Sequence, residues 1–98
     1  MLRAYLLCYD VGDAKRLRRM HKLALAFGRP LQYSVFACVL RRDDRVRLAA
    51  RIEALIDHKR DRVIILDIGT VTARESWIPP MQVFGAQEVV PERSAVIV

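Results

Sequence analysis

Residues 2–9, Leu-Arg-Ala-Tyr-Leu-Leu-Cys-Tyr, are apolar on both of their alternating sets. Leu2, Ala4, Leu6 and Cys8 form one set; Tyr5, Leu7 and Tyr9 belong to the other. A strand covered on one face only alternates apolar with polar residues, because its second face meets water. This strand asks for cover on both faces. In a chain of 98 residues there is room for one domain. Its helices can cover one face and a partner subunit the other. A hydrophobic content of 53% argues against a disordered chain. A domain this small buries a modest fraction of its surface on folding, so association with a second copy is expected.

The apolar run stops on Asp10, followed by Val11, Gly12 and Asp13 and then by a basic amphipathic segment. A strand that ends on an acid just before a helix holds a carboxylate rigidly at the rim of a sheet. Asp13 suits the N-cap, where its side chain accepts from free backbone N–H groups. The 3/4 spacing of Leu17, Met20, Ala24 and Phe27, with Leu23 alongside, predicts a helix over residues 14–27. Gly28 suits its C-terminal cap, and Pro30 forbids continuation. His21 reads as a helix-surface or dimer-edge residue.

Residues 31–40 are rich in β-branched and aromatic residues and read from pattern alone as one long strand, with room at Gln32-Tyr33-Ser34 for a tight turn between two short ones. Ser34 reads as a turn serine, and Phe36 as a core or interface aromatic. Arg41 and Arg42 make a basic rim, after which Asp43 or Asp44 caps a second helix over residues 44–56. Its buried face carries Leu48, Ala49, Ile52, Leu55 and Ile56. Residues 57–61 form a charged loop containing His58. Residues 62–67 make another strand, apolar enough to be central. A long connection from Gly69 to Pro80 contains Trp77 and a Pro-Pro pair that excludes ordinary ladder bonding. Residues 81–84 read as a short strand and residues 87–94 as a polar connector. The chain ends on Ala95-Val96-Ile97-Val98, an aggregation hazard unless it adds to a sheet edge, in its own subunit or a partner's. This order of elements predicts an α+β domain: an antiparallel sheet with two helices on one face. Asp67 also ends an apolar run; an ordinary strand-end acid is its favoured reading.

Lys and Arg number 17 against 11 Asp and Glu, a net charge of +6. That balance favours an anionic partner, nucleic acid before a membrane surface. No apolar run approaches the roughly 20 residues that span a bilayer, and residues 1–4 enter a strand with no cleavage-site pattern, so a cytoplasmic location without membrane association is expected. Cys8 and Cys38 lie in apolar runs and read as buried small residues; with no CxxC pair, zinc has no support. GxxxxGK[ST], GxSxG and HExxH patterns are missing, which leaves nucleotide hydrolysis and serine chemistry unsupported.

Leu7-Cys8-Tyr9-Asp10-Val11, Asp13-Ala14-Lys15-Arg16, Phe27-Gly28 and Gln32-Tyr33-Ser34-Val35-Phe36, at this spacing, resemble the small CRISPR-associated Cas-two proteins. The resemblance covers about residues 2–67. It implies a ferredoxin-like βαββαβ fold spanning residues 1–98 as one domain, with residues 86–98 as a connector and a C-terminal strand that pairs with the partner of a homodimer. It implies metal-dependent endonuclease activity on RNA or double-stranded DNA in some members, and an adaptor role beside the Cas-one integrase in spacer acquisition. Asp10 is the residue it marks as metal-binding and catalytic. Arg16, Arg18 and Arg19 fall in the family's basic helix. Ala14 stands where members often carry a second acid.

A single carboxylate makes a poor Mg²⁺ site, because that ion wants six oxygens and takes one or two carboxylates with waters and phosphates. A twofold axis near Asp10 would bring in its symmetry mate. Two such groups 4 Å apart repel by about 1–4 kcal/mol, which a bound Mg²⁺ or Mn²⁺ relieves. The resemblance therefore favours an ion held between two Asp10 side chains over a strand-end acid that merely accepts backbone N–H bonds. Lys15, Arg16, Arg18, Arg19, Lys22, Arg41 and Arg42 form the expected nucleic-acid track. The alternatives are a non-catalytic adaptor for the integrase complex, a ferredoxin-like toxin ribonuclease outside CRISPR and a small regulatory ligand-binding domain, the last opposed by the basic charge.

Overall fold

The computed structural model describes residues 1–74, 77 and 79–86. The elements are β1 (Leu2–Asp10), α1 (Ala14–Phe27), β2 (Arg29–Gln32), β3 (Val35–Leu40), α2 (Arg42–Leu55) and β4 (Arg62–Val71). The strands form one antiparallel sheet in the order β2-β3-β1-β4. Both helices pack on one face, as the ferredoxin-like α+β expectation required. Tyr5, Leu7 and Tyr9 of β1, with Phe36, Cys38 and Leu40 of β3, meet Met20, Leu23 and Ala24 of α1 and Leu48 and Ile52 of α2 in the core.

The other face is where the two-sided pattern of β1 becomes visible. Leu6 lies between Ala37 and Leu66, and Cys8 between Val35 and Ile64. Ile64 and Leu66 are exposed there, whereas Ala4, Ala37 and Val39, nearer the start of β1, are buried. No helix of the described residues is long and apolar enough to cross a membrane.

Of the two readings of residues 31–40, the hairpin is observed: Tyr33 and Ser34 turn between β2 and β3. Three expectations need correction. Asp43 and Asp44 do not cap α2. Arg41 occupies that position without a side-chain bond, and both acids sit in the first turn, where they oppose the positive end of the helix dipole. β4 is an edge strand among the described residues, not a central one, and it continues past Asp67 to Val71. It does so through a register shift: Ala4 faces Gly69 and Tyr5 faces Asp67, so Ile68 is extra. Gly69 adopts φ 125°, which a glycine tolerates, and its N–H donates to Asp67 Oδ1 at 3.0 Å. Finally, residues 81–84 are not a strand; Met81, Val83 and Phe84 are exposed. The expected strand at residues 95–98 lies outside the described residues.

Gly28 caps α1 as expected, donating its N–H to the Ala24 carbonyl. The requirement for glycine is one of space. A Cβ there would stand 2.5 Å from both the Ala37 carbonyl oxygen and Cys38 Sγ. Since the carbonyl belongs to the β2–β3 ladder, Gly28→Ala is expected to destabilise the domain by about 1–3 kcal/mol through overpacking. Urea denaturation monitored by circular dichroism measures this, and an unchanged midpoint would contradict it.

Candidate active-site rim

The rim is built where β1 ends, α1 begins and β4 begins. Asp10 stands opposite Arg62, the first residue of β4. Strand alternation puts Asp10 on the side of Leu6 and Cys8, the face without helices. It is exposed, and among the described residues no hydrogen bond or ion pair engages it. The surrounding carboxylates are all engaged. Asp13 caps α1, accepting from Arg16 N at 3.0 Å, and that bond holds its carboxyl below the ordinary value. Asp57 accepts from Lys59 N at 2.9 Å.

Asp61 is the most heavily committed. Its side chain is out of solvent. Oδ2 accepts from Arg16 Nε at 2.7 Å and from Asp57 N at 2.8 Å; Oδ1 accepts from Arg16 Nη2 at 3.2 Å and from Gly12 N at 3.4 Å. The Arg16 bonds, with the Asp57 N–H next, lower its pKa to about 2. This one carboxylate joins the loop after Asp10, the first turn of α1 and the loop before β4, so it fixes the rim on which Asp10 stands. Sequence reasoning missed it, since it is one acid of a mixed charge run.

A second anchor lies underneath. Tyr9, next to Asp10, is buried. Its backbone N–H donates to the Ser34 carbonyl at 3.1 Å. Its hydroxyl donates to the Tyr33 carbonyl at 3.1 Å, so its 2.9 Å bond to His21 is one in which Nδ1 carries the proton and the hydroxyl accepts. His21 stacks on Tyr33 with centroids 5.1 Å apart and meets Phe36 edge-on at 5.4 Å. The surface or dimer-edge reading of His21 is therefore corrected: it is a core histidine, 6% exposed. Burial pushes its pKa below the ordinary value, against a smaller opposing effect of the Tyr33 backbone. The signal was present, because His21 falls at i+4 from Leu17 and i−3 from Ala24, on the apolar stripe. Ser34 serves the turn through its carbonyl, and Phe36 is wholly buried.

The structure separates the expected basic track. Lys15, Arg18, Arg19 and Lys22 are exposed on α1. Arg16 is tied to Asp61. Arg41 and Arg42 follow β3, whose last residue Leu40 faces Arg3, so they lie at the opposite end of the sheet from Asp10. Asp67 is at that far end too, paired with Arg3 at 3.1 Å. Both cysteines are free; burial raises the Cys38 thiol to about 12, which makes it unreactive.

A divalent cation of the kind such a rim invites has to find hard oxygen ligands. Asp10 supplies the right donor type, unpaired and accessible, but the described residues hold no group of three His, Cys, Asp or Glu that could hold a metal ion. One protomer therefore fits such an ion only in part, with the remaining ligands left to water, a phosphate or a second copy.

Residues 3–75 match the family model described as CRISPR associated protein Cas2. A Rhodospirillum rubrum protein named CRISPR-associated endoribonuclease Cas2 1 is 41% identical over 66 residues, covering 67% of this chain and 65% of that protein, just under two thirds of its length. Among solved structures, a hypothetical protein from Thermus thermophilus superposes with a TM-score of 0.74 at 25% identity, covering 91% of this chain and 98% of that one. Streptococcus pyogenes Cas2 superposes with a TM-score of 0.67 at 28% identity, covering 84% and 99%.

Proposed function

This chain belongs to the Cas2 family of CRISPR associated proteins, and we propose that it works as a homodimeric, metal-dependent endonuclease whose cutting site is shared between two Asp10 side chains. One observation supports the reading above the others: among the described residues Asp10 is the carboxylate of its rim without a partner, and it lies on the sheet face that carries no helix. If that face packs against a second copy, each Asp10 lies at the edge of the interface. The exposed Ile64 and Leu66 give such packing its driving force. The expected strand at residues 95–98 would extend it.

In this reading Asp10 from each protomer holds Mg²⁺ or Mn²⁺. When bound, such an ion polarises a phosphate oxygen and makes water a usable nucleophile at neutral pH. The chain's own residues do the rest. Tyr9 and His21 hold the end of β1 from beneath, Asp61 and Arg16 hold the loop that follows, and Lys15, Arg18, Arg19 and Lys22 attract phosphates along α1. The naming of the Rhodospirillum rubrum relative as an endoribonuclease favours RNA as substrate. The exposed cations of α1 equally suit a dimer that holds duplex DNA for the Cas-one integrase during spacer acquisition, and one basic surface serves both roles.

The test is to incubate purified protein with end-labelled single-stranded RNA and with duplex DNA. Fragments are expected in Mg²⁺ or Mn²⁺, none in excess EDTA, and recovery on adding the metal back. Intact substrates under every condition would remove the nuclease reading and leave the DNA-holding role.

A further inference from the structure

A second basic site lies away from Asp10, and its construction follows from the register of β2. That strand pairs with β3 only as far as Arg29 opposite Ala37. Beyond that point Val39 and Leu40 lie at an open sheet edge. Leaving β4 after Val71, which faces Leu2, the chain comes across to this edge: Arg74 Nε donates to the Val39 carbonyl at 3.0 Å, and Arg29 Nη2 donates to the Trp77 carbonyl at 2.6 Å. The end of α1 and the side of α2 that carries Asp44, Arg47 and Arg51 line the other sides. The result is a cavity of about 530 Å³, within the range of small-ligand sites.

Its walls carry Arg29, Arg47, Arg51 and Arg74 against a single acid, Asp44. Asp44 pairs with Arg47. Arg29 and Arg74 each spend one N–H on a backbone carbonyl, which orients the guanidinium and leaves most of its five donors free. Among the described residues Arg51 has no hydrogen-bond or ion-pair partner. Four guanidiniums to one carboxylate is an arrangement for an anion, and arginine's planar fork matches phosphate oxygens better than a point charge does. Phe27 adds an apolar floor, and Val39 and Leu40, which point to opposite faces of β3, line the strand edge beside it. Val39 faces Ala4, six residues along β1 from Asp10, so the cavity lies about 20 Å from the rim at about 3.3 Å per residue.

We infer that this cavity binds a nucleotide unit, its phosphate on Arg51, Arg47 and Arg74 and its sugar or base against the apolar floor. The unit comes either from a single strand passing over the domain or from a free nucleotide. The site would hold nucleic acid at a distance from Asp10 and is independent of whether the protein cuts.

Binding is measured in EDTA, so that cleavage plays no part. Fluorescence anisotropy follows a labelled 12-nucleotide single strand, and calorimetry follows ATP. Arg51→Glu is expected to weaken one of these ligands at least about tenfold and, for the oligonucleotide, to lower the salt slope by about 1. Loss for the strand assigns the site to polymer; loss for ATP alone assigns it to free nucleotide. Lys59→Glu, an equal charge change in the α2–β4 loop, is the control. Equal loss in both variants would make the effect one of net charge and overturn the site, as would no loss in Arg51→Glu. Arg51 is exposed on α2, and circular dichroism checks that its variant folds.

Discussion

Asp10→Asn protein should lose metal-dependent cleavage at least about 100-fold, since disturbing even a ligand's outer-shell partner costs 10–100-fold. It should keep its fold. The substitution is close to isosteric, and the side chain it changes is exposed and unpaired, so the stability change should stay within about 0.5 kcal/mol. Affinity for uncut oligonucleotide in EDTA should change little, or rise slightly as a negative charge leaves the rim. This combination separates the assignment from a structural role: an acid that merely caps backbone groups would lower stability when replaced and leave activity in proportion to folded protein. A shared site adds a further consequence. Dimers mixed from wild-type and Asp10→Asn chains should behave as the mutant does, because each site needs both carboxylates. Wild-type cleavage by purified Asp10→Asn protein, or half activity in mixed dimers, would rule out the shared site.

Much of the fold is legible in the residues because it rests on short-range rules. Asp13 announces itself as a cap three residues before the N–H it receives. The two-sided apolar pattern of β1 states that both faces of the sheet are to be covered; the described residues cover the helix face and, on the other, bury Ala4, Ala37 and Val39 while leaving Ile64 and Leu66 exposed. The apolar pattern of β4 reads as central for the same reason: two apolar faces do not distinguish an edge strand such as this one from a strand with a neighbour on each side. The bulge at Ile68 was invisible because it depends on Asp67 bonding back to Gly69, a local device that looks like a strand end. Asp61 is the instructive omission. Its partner Arg16 lies 45 residues away, and nothing near Asp57-His58-Lys59-Arg60-Asp61 distinguishes the buried acid from its exposed neighbours. His21 reads as a surface residue if taken alone, but its 3/4 spacing from Leu17 and Ala24 puts it on the buried stripe, where it is found. Asp10 itself was found by its strand-end position together with the family resemblance, and its freedom from partners is something only the surrounding bonds could establish.

Asp61→Asn should destabilise the protein more than any other carboxylate-to-amide change among the described residues. Both oxygens of Asp61 accept, Oδ1 from Gly12 N and Arg16 Nη2, Oδ2 from Asp57 N and Arg16 Nε. An asparagine has one acceptor oxygen. Whichever way its amide turns, an NH₂ group faces donors at a position closed to water, and Arg16 loses its 2.7 Å partner and is left with the longer contact to Asp13 at 3.9 Å. The loops on either side of Asp10 then lose their common tie, so cleavage should fall even in the fraction that stays folded. The pH dependence supplies an independent check. With a folded pKa of about 2, below the ordinary 3.8, Asp61 contributes its full stabilisation above the ordinary value, and that contribution is lost as pH falls toward 2. The wild-type melting temperature should therefore drop steeply between about pH 5 and 2, where unfolded carboxylates take up protons first. The Asp61→Asn curve, lower at pH 7, should be flatter across that interval and approach the wild type at its acid end. Parallel curves would mean that the stabilising charge lies elsewhere, and the tie between Asp61 and the rim would have to be abandoned.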